Sequence, residues 1–175
     1  SRAKAVNFGI VYGIGAFSLA KDIGVSNKEA KHYIESYLAH YSGVDSYMKN
    51  VVEKANADGY VETMFGRRRN LPELTSSKHM IRAFGERVAR NMPIQGTAAD
   101  IIKIAMIKVD ERMKAENLRA RLVLQVHDEL IVEAPQDESM RVALIVQEEM
   151  ENAVKMSVPL TADAAIGRTW YDAKG

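Results

Sequence analysis

Arg121 to Glu133 reads RLVLQVHDELIVE, a β-prone run on both sides of a polar centre. Thirteen residues are long for one strand, whose usual length is about 5–6. Two strands joined by a tight turn at His127-Asp128 account for the pattern better. Pro135 ends the hairpin, and residues 136–154 return to helical period. Upstream, Ala98, Ile101, Ile102, Ala105, Met106, Val109 and Met113 fall on one face of a helix that should pack on the sheet. Thr97 and Asp100 offer a capping signal at its start. This half of the chain therefore predicts an α+β layer: an antiparallel sheet backed by a long helix from Thr97 to about Glu116. Val158 to Ile166 reads as a last extended segment.

The other half is helical. Residues 3–20 read as a helix broken by Gly13 and Gly15. Its first residues carry no capping signal, so the chain is expected to begin inside an element. Ser26 and Glu29 form a Ser-x-x-Glu capping box, followed by Ala30, Tyr33, Ile34, Tyr37, Leu38 and Tyr41 at helical spacing. The tyrosine stripe reads as packing. Gly43 is expected to end that helix and Gly59 the next. Tyr60 to Phe65 is a short β-prone run, Gly66 to Arg69 a cationic turn, and Leu71-Pro72 extended. A helix from about His79 to Asn91 should end or bend at Pro93.

Composition is that of an ordinary globular chain: 175 residues, 47% hydrophobic, 27% charged. No apolar run approaches the ~20 residues of a membrane helix, no leader peptide is visible, and no membrane partner is expected. The absence of cysteine excludes disulfides and thiolate metal sites. The four histidines are too scattered for zinc, so a metal would be held by oxygen, as Mg²⁺, Mn²⁺ or Ca²⁺ are. The net charge of +1 conceals an asymmetry. Between Arg67 and Arg90 seven bases face two acids, and between Asp110 and Glu151 eleven acids face five bases. Such a layout suits a polyanion on one side and cations on the other, although two solvated faces would read the same.

Several polar groups could carry chemistry. Asp128 and Glu129 lie between aliphatic runs with no Lys or Arg within five residues. A divalent cation would supply the counter-charge, and an exposed turn would equally accept them. Lys4, Phe8 and Tyr12 share one helix face, suited to a phosphate and a stacked base or sugar, or to an amphipathic helix with its rings in the core. Arg87, Asn91 and Gln95 recur at intervals of four and could donate to minor-groove acceptors, or form a solvated polar face. Arg67 to Arg69 could touch phosphates or simply be exposed.

Lys4 to Gly13 (KAVNFGIVYG), Gly66 to Arg69 (GRRR), Asn91 to Asp100 (NMPIQGTAAD), Gln125 to Leu130 (QVHDEL) and Thr169 to Lys174 (TWYDAK) together resemble the C-terminal part of bacterial family A DNA polymerases. The similarity runs in order along essentially the whole chain. It implies an α+β polymerase fragment: a helical fingers subdomain over residues 1–90 and part of an antiparallel-sheet palm over 91–175. It implies that Lys4 binds the triphosphate of an incoming dNTP, that Phe8 packs on its sugar and base, and that Tyr12 sits near the templating position. Phenylalanine at position 8 is the family variant expected to discriminate against sugars lacking the 3′-hydroxyl. Arg69, Arg87, Asn91, Gln95 and His127 would contact primer–template DNA. Asp128, with Glu129 as an auxiliary carboxylate, would hold part of a catalytic Mg²⁺ pair, Mn²⁺ being a substitute. A bacterial cytoplasmic, nucleoid-associated location goes with the resemblance.

The departures matter too. The family's arginine four residues before the lysine would precede Ser1, and its other metal-binding aspartate lies upstream of the fingers. Thumb and nuclease domains are likewise expected to be absent from this chain. The 175 residues alone are therefore expected not to polymerise, and an uncovered sheet edge is expected to favour self-association. The rival reading is a non-catalytic module that binds duplex nucleic acid through its basic segment.

Overall fold

Pro93 is expected to end or bend a helix; it does not end one, for a single helix runs from His79 to Ala115 with Pro93 inside it. A proline offers no N–H to the carbonyl four residues earlier, which costs about 3 kcal/mol in a helix interior. A side-chain bond lies beside the proline without replacing the missing donor. The Thr97 hydroxyl donates to the Pro93 carbonyl one turn back and accepts from the Met64 N–H at 3.0 Å. Thr97 is thus not the start of a second helix. It is a buried mid-helix residue whose side chain bonds its own backbone and a neighbouring turn.

The computed structural model describes residues 2–174, apart from the side chains of Arg2, Lys4 and Ala5. The element order is α1 Arg2–Val11, α2 Ala16–Ile23, α3 Asn27–His40, α4 Ser42–Asp58, β1 Tyr60–Glu62, β2 Arg68–Asn70, a 3₁₀ turn Pro72–Thr75, α5 His79–Ala115, β3 Arg121–Val126, β4 Glu129–Glu133, α6 Ser139–Glu151 and α7 Trp170–Lys174. Two compact units divide the chain, Ser1–Thr97 and Ala98–Gly175. No described helix is long and apolar enough to cross a membrane.

The first unit has two cores. Leu19, Ala20, Ile23 and Ala30 gather with Val6, Ile14 and Ile34 under α1, α2 and α3. Ala55, Val61, Leu71, Leu74 and Ala89 gather with Val51, Val52, Val88 and Met92 where α4, β1 and α5 meet. The Ser26–Glu29 box forms as expected, the Glu29 N–H donating to Ser26 Oγ at 3.2 Å and the Ser26 N–H to Glu29 Oε2 at 2.9 Å. Gly43 does not end α3; it lies in the first turn of α4, and the break falls at Tyr41 (φ −103°, ψ 61°). Gly59 ends α4 as expected. The cationic stretch is half turn and half strand, with Arg68 and Arg69 paired to Glu62 and Val61 in a two-stranded sheet.

Gly96 is required by contact. A Cβ there would lie 2.6 Å from Thr63 Cγ2, so α5 approaches the β1–β2 turn only because the side chain is absent.

In the second unit the hairpin is as expected: β3 and β4 pair antiparallel from Arg121↔Glu133 to Val126↔Glu129, with a bulge between Leu122 and Leu124. Leu122, Leu130 and Val132 pack on Val109 and Met113 of α5 and on Val142 and Ile145 of α6. The α+β reading therefore holds. Residues 158–166 form no strand.

Gly96→Ala is expected to cost about 1–3 kcal/mol by overpacking against Thr63, measured by chemical unfolding. Gly43→Ala, at a helical position with open space around it, should instead gain about 0.5–1 kcal/mol.

The Ser26 hydroxyl and backbone hold the Glu29 carboxyl below its usual range. A depressed folded-state pKa stabilises above the unfolded value and loses that effect as pH falls through the folded one. Amide protection at the start of α3 should therefore weaken on acidification below about pH 4.5, and Glu29→Gln should flatten the response.

Candidate functional site

Two groups of candidate residues form, one in each unit. In the first, α1 carries Phe8 and Tyr12, one helical turn apart, with ring centroids 6.2 Å apart and planes at 27°. Phe8 is 52% exposed, so the rings are not sunk in a core. Lys4 follows the same face by spacing, but its side chain lies outside the described residues. Gly13 closes α1 at φ +76°, in the left-handed region that favours glycine.

On α5, Arg87 is exposed with its guanidinium 5.9 Å from the Phe84 ring. Gln95 is exposed and Asn91 half-buried. The Asn91 Oδ1 is buried without a hydrogen-bond partner among the described residues. A polar atom left unpaired costs about 1–3 kcal/mol, the kind of expense that binding sites carry.

The three arginines of the basic stretch separate. Arg68 lies over the Tyr60 ring at 4.4 Å and pairs with Glu62 at 3.2 Å. The Arg67 N–H donates to Thr63 Oγ1 at 3.2 Å. Arg69 is exposed and makes no ion pair with any described residue, which leaves its guanidinium available to a phosphate.

In the second unit the hairpin tip presents His127, Asp128 and Glu129. His127 takes φ +54°, a strained value for a residue with a Cβ. It is the first of the two turn residues, where mirror-image turns match the twist of the strands. Gln125 Nε2 donates to the His127 carbonyl at 2.6 Å and steadies the turn. His127 and Asp128 are exposed and Glu129 half-buried.

The acidic stretch is largely answered within its own unit. Arg112 pairs with Glu116, Glu148 and Glu149, and the hydrogen bonds it donates to Glu149, then Glu148, hold its guanidinium firmly protonated. Arg141 pairs with Glu116 and keeps that carboxyl below its usual range. Arg119 engages Glu138 and Asp137, Arg121 takes Glu133 and Lys114 takes Asp110. Glu151 accepts from the Ala162 N–H at 3.1 Å. Asp128 is left without an ion pair among the described residues, and Glu111 of α5 is alike. Glu129 does have a cation: Lys174 Nζ lies 3.3 Å from its Oε1 and 5.2 Å from the Trp170 ring. No local pattern announces Lys174, which is distant in sequence and reaches the tip through α7. No group of three or more Asp, Glu or His gathers around a metal-sized space among the described residues.

Comparison with known proteins gives these positions a context. Residues 1–172 match the model of DNA polymerase family A. The chain is 55% identical over 173 residues to the DNA polymerase I of Bacillus caldotenax, covering 99% of this chain and 20% of that protein. It is 48% identical over 172 residues to the DNA polymerase I of Lactococcus lactis subsp. lactis strain IL1403, covering 98% and 20%. Among solved structures, the POL domain of Pol1 from M. smegmatis, in complex with DNA primer-template and dNTP, matches with a TM-score of 0.95 at 46% identity, covering 99% of this chain and 31% of that one. The chain belongs to DNA polymerase family A. It spans about a fifth of the length of the curated relatives it matches.

His127→Gly should relieve the turn and raise the unfolding free energy of the chain by about 1 kcal/mol, read from denaturant curves. An unchanged or lowered midpoint would contradict strain at the tip.

Proposed function

We propose that this chain is the fingers and part of the palm of a DNA-directed DNA polymerase, which transfers a nucleotidyl group from a dNTP to a primer 3′-hydroxyl. The observation that carries the reading is Asp128. It is an exposed carboxylate without an ion pair among the described residues, on a tip whose other acid already has Lys174.

On this reading Lys4 holds the triphosphate, Phe8 and Tyr12 offer stacked rings to the nucleotide and the templating base, and Arg87, Asn91 and Gln95 donate into the minor groove of the nascent duplex. Minor-groove acceptors are common to all base pairs, so such donors test pair shape more than sequence. Arg69 meets a phosphate and His127 the primer end. Residues 1–90 serve as fingers and 91–175 as palm.

The hairpin tip fits a divalent cation as one side of a shared site. Its donors are carboxylate oxygens, as Mg²⁺ requires, and Mg²⁺ is commonly held by one or two carboxylates plus substrate phosphates. Mn²⁺ takes the same donors. Asp128 is the stronger candidate ligand, with Glu129 free to assist once Lys174 yields it. What the metal supplies when bound is charge neutralisation at the phosphates and activation of the attacking hydroxyl. Further carboxylates must come from outside these residues.

The whole protein's location would be the bacterial cytoplasm, on nucleoid DNA. Copies of the isolated chain are expected to associate along the hairpin, where Val123 and Leu124 are exposed.

Asp128→Ala in the full-length polymerase should lose turnover by orders of magnitude while primer–template affinity is retained. The 175-residue chain by itself, given Mg²⁺ and dNTPs, should leave a primer unextended. A duplex-binding module without catalysis would show no turnover to lose, and extension by the isolated chain would contradict the shared site.

A further inference from the structure

Arg90 is one of the seven cations of the basic stretch, and on charge alone it would be counted among those facing DNA. Its surroundings differ from those of its neighbours Arg87 and Arg69. The side chain is 24% exposed, and Nη2 donates to Glu86 Oε2 one turn earlier on α5 at 3.3 Å. From there it lies along the backbone of Gly13. A Cβ built on Gly13 would stand 3.3 Å from Arg90 Nη1 and 3.5 Å from its Cδ.

Gly13 follows Tyr12 directly and ends the helix that presents Phe8 and Tyr12. Its own backbone is tied back into α1, the Gly13 N–H donating to the Ile10 carbonyl at 2.9 Å and the Ile14 N–H to the Gly9 carbonyl at 2.8 Å. Ile10 is 2% exposed, so the far side of this turn is fixed by packing. The C-terminal end of a helix favours a cation, and here the cation comes from α5, braced by Glu86. Any side chain on Gly13 would meet it, besides being strained at φ +76°.

We propose that Arg90 is a positioning residue for nucleotide selection. Held by Glu86, it seats the Tyr12–Gly13 turn against α5 and so sets where the Phe8–Tyr12 ring pair stands relative to Arg87 and Asn91 on the same helix. It touches neither nucleotide nor DNA; it acts through Gly13. This rests on the nucleotide-binding reading of α1. The residue supplies both reach and charge: its side chain fills the space that a Gly13 side chain would take, and its guanidinium donates to Glu86. Lysine keeps the stem and one charge but loses the fork.

The test uses the full-length polymerase carrying this sequence, as wild type, Arg90→Ala, Arg90→Lys and Glu86→Gln. Steady-state primer extension should show KM for dNTP raised several-fold in Arg90→Ala with kcat nearly unchanged, partial recovery in Arg90→Lys, and a smaller rise in Glu86→Gln. Primer–template affinity should not move. Amide hydrogen exchange on the same proteins should quicken at residues 12–16 in Arg90→Ala, with protection along residues 98–113 of α5 unaltered. An unchanged KM, or a fall in kcat alone, overturns the proposal. If the wild type proves to have no turnover, the polymerase reading fails. Exchange then decides the Arg90–Gly13 contact by itself, and unaltered exchange at residues 12–16 would overturn that as well.

Discussion

The accommodation of Pro93 inside α5 is the constraint on which the rest depends. The Thr97 hydroxyl donates to the Pro93 carbonyl and accepts from the Met64 N–H, which ties this stretch of α5 to the β1–β2 turn. Residues 88–92 pack in the core beside β1 and α4, and residues 109–113 pack under the β3–β4 hairpin. One helix thus serves both. It also carries Arg87, Asn91 and Gln95 along the stretch where the proline lies. The close contact of Gly96 with Thr63 belongs to the same arrangement, since a side chain there would push the turn away from the hydroxyl that needs it.

Charge resolves in opposite ways in the two halves. The acidic stretch from Asp110 to Glu151 looks from composition like a surface in want of cations. Most of its carboxylates are engaged by Arg112, Arg119, Arg121, Arg141 and the lysines of the same unit. The basic stretch divides: Arg68 is stacked and paired, Arg90 is paired and half-buried, and Arg87 and Arg69 face solvent. What is left over among the described residues, Asp128 and Glu111 on one unit and the exposed arginines on the other, is a smaller set than the charge counts suggest and a chemically sharper one.

Much of the fold was legible because its signals are local. The Ser26–Glu29 box, Gly59 at a helix end and the alternation around His127-Asp128 each depend on neighbours within a few residues, and each forms as read. Two misreadings concern local breakers that sit inside helices: Pro93 lies in α5 between stretches packed in two cores, and Gly43 lies in the first turn of α4. The tyrosine stripe, read as packing, packs in part: Tyr37 and Tyr41 bring their ring centroids to 4.7 Å, while Tyr33 and Tyr41 stay 44% and 49% exposed. The partner of Glu129 was invisible because Lys174 is close only in space.

Sequence by itself determined the order of helices and hairpins, the acidic tip between aliphatic strands and the family to which the ordered motifs point. Periodicity, capping and turn chemistry act over a few residues, and the motifs are strings. Which carboxylates stay unpaired, which arginine turns inward against Gly13, and whether a proline ends a helix were decided by the tertiary structure. These outcomes depend on who competes for a charge or a hydrogen bond across tens of residues of chain, and only the folded arrangement settles that competition.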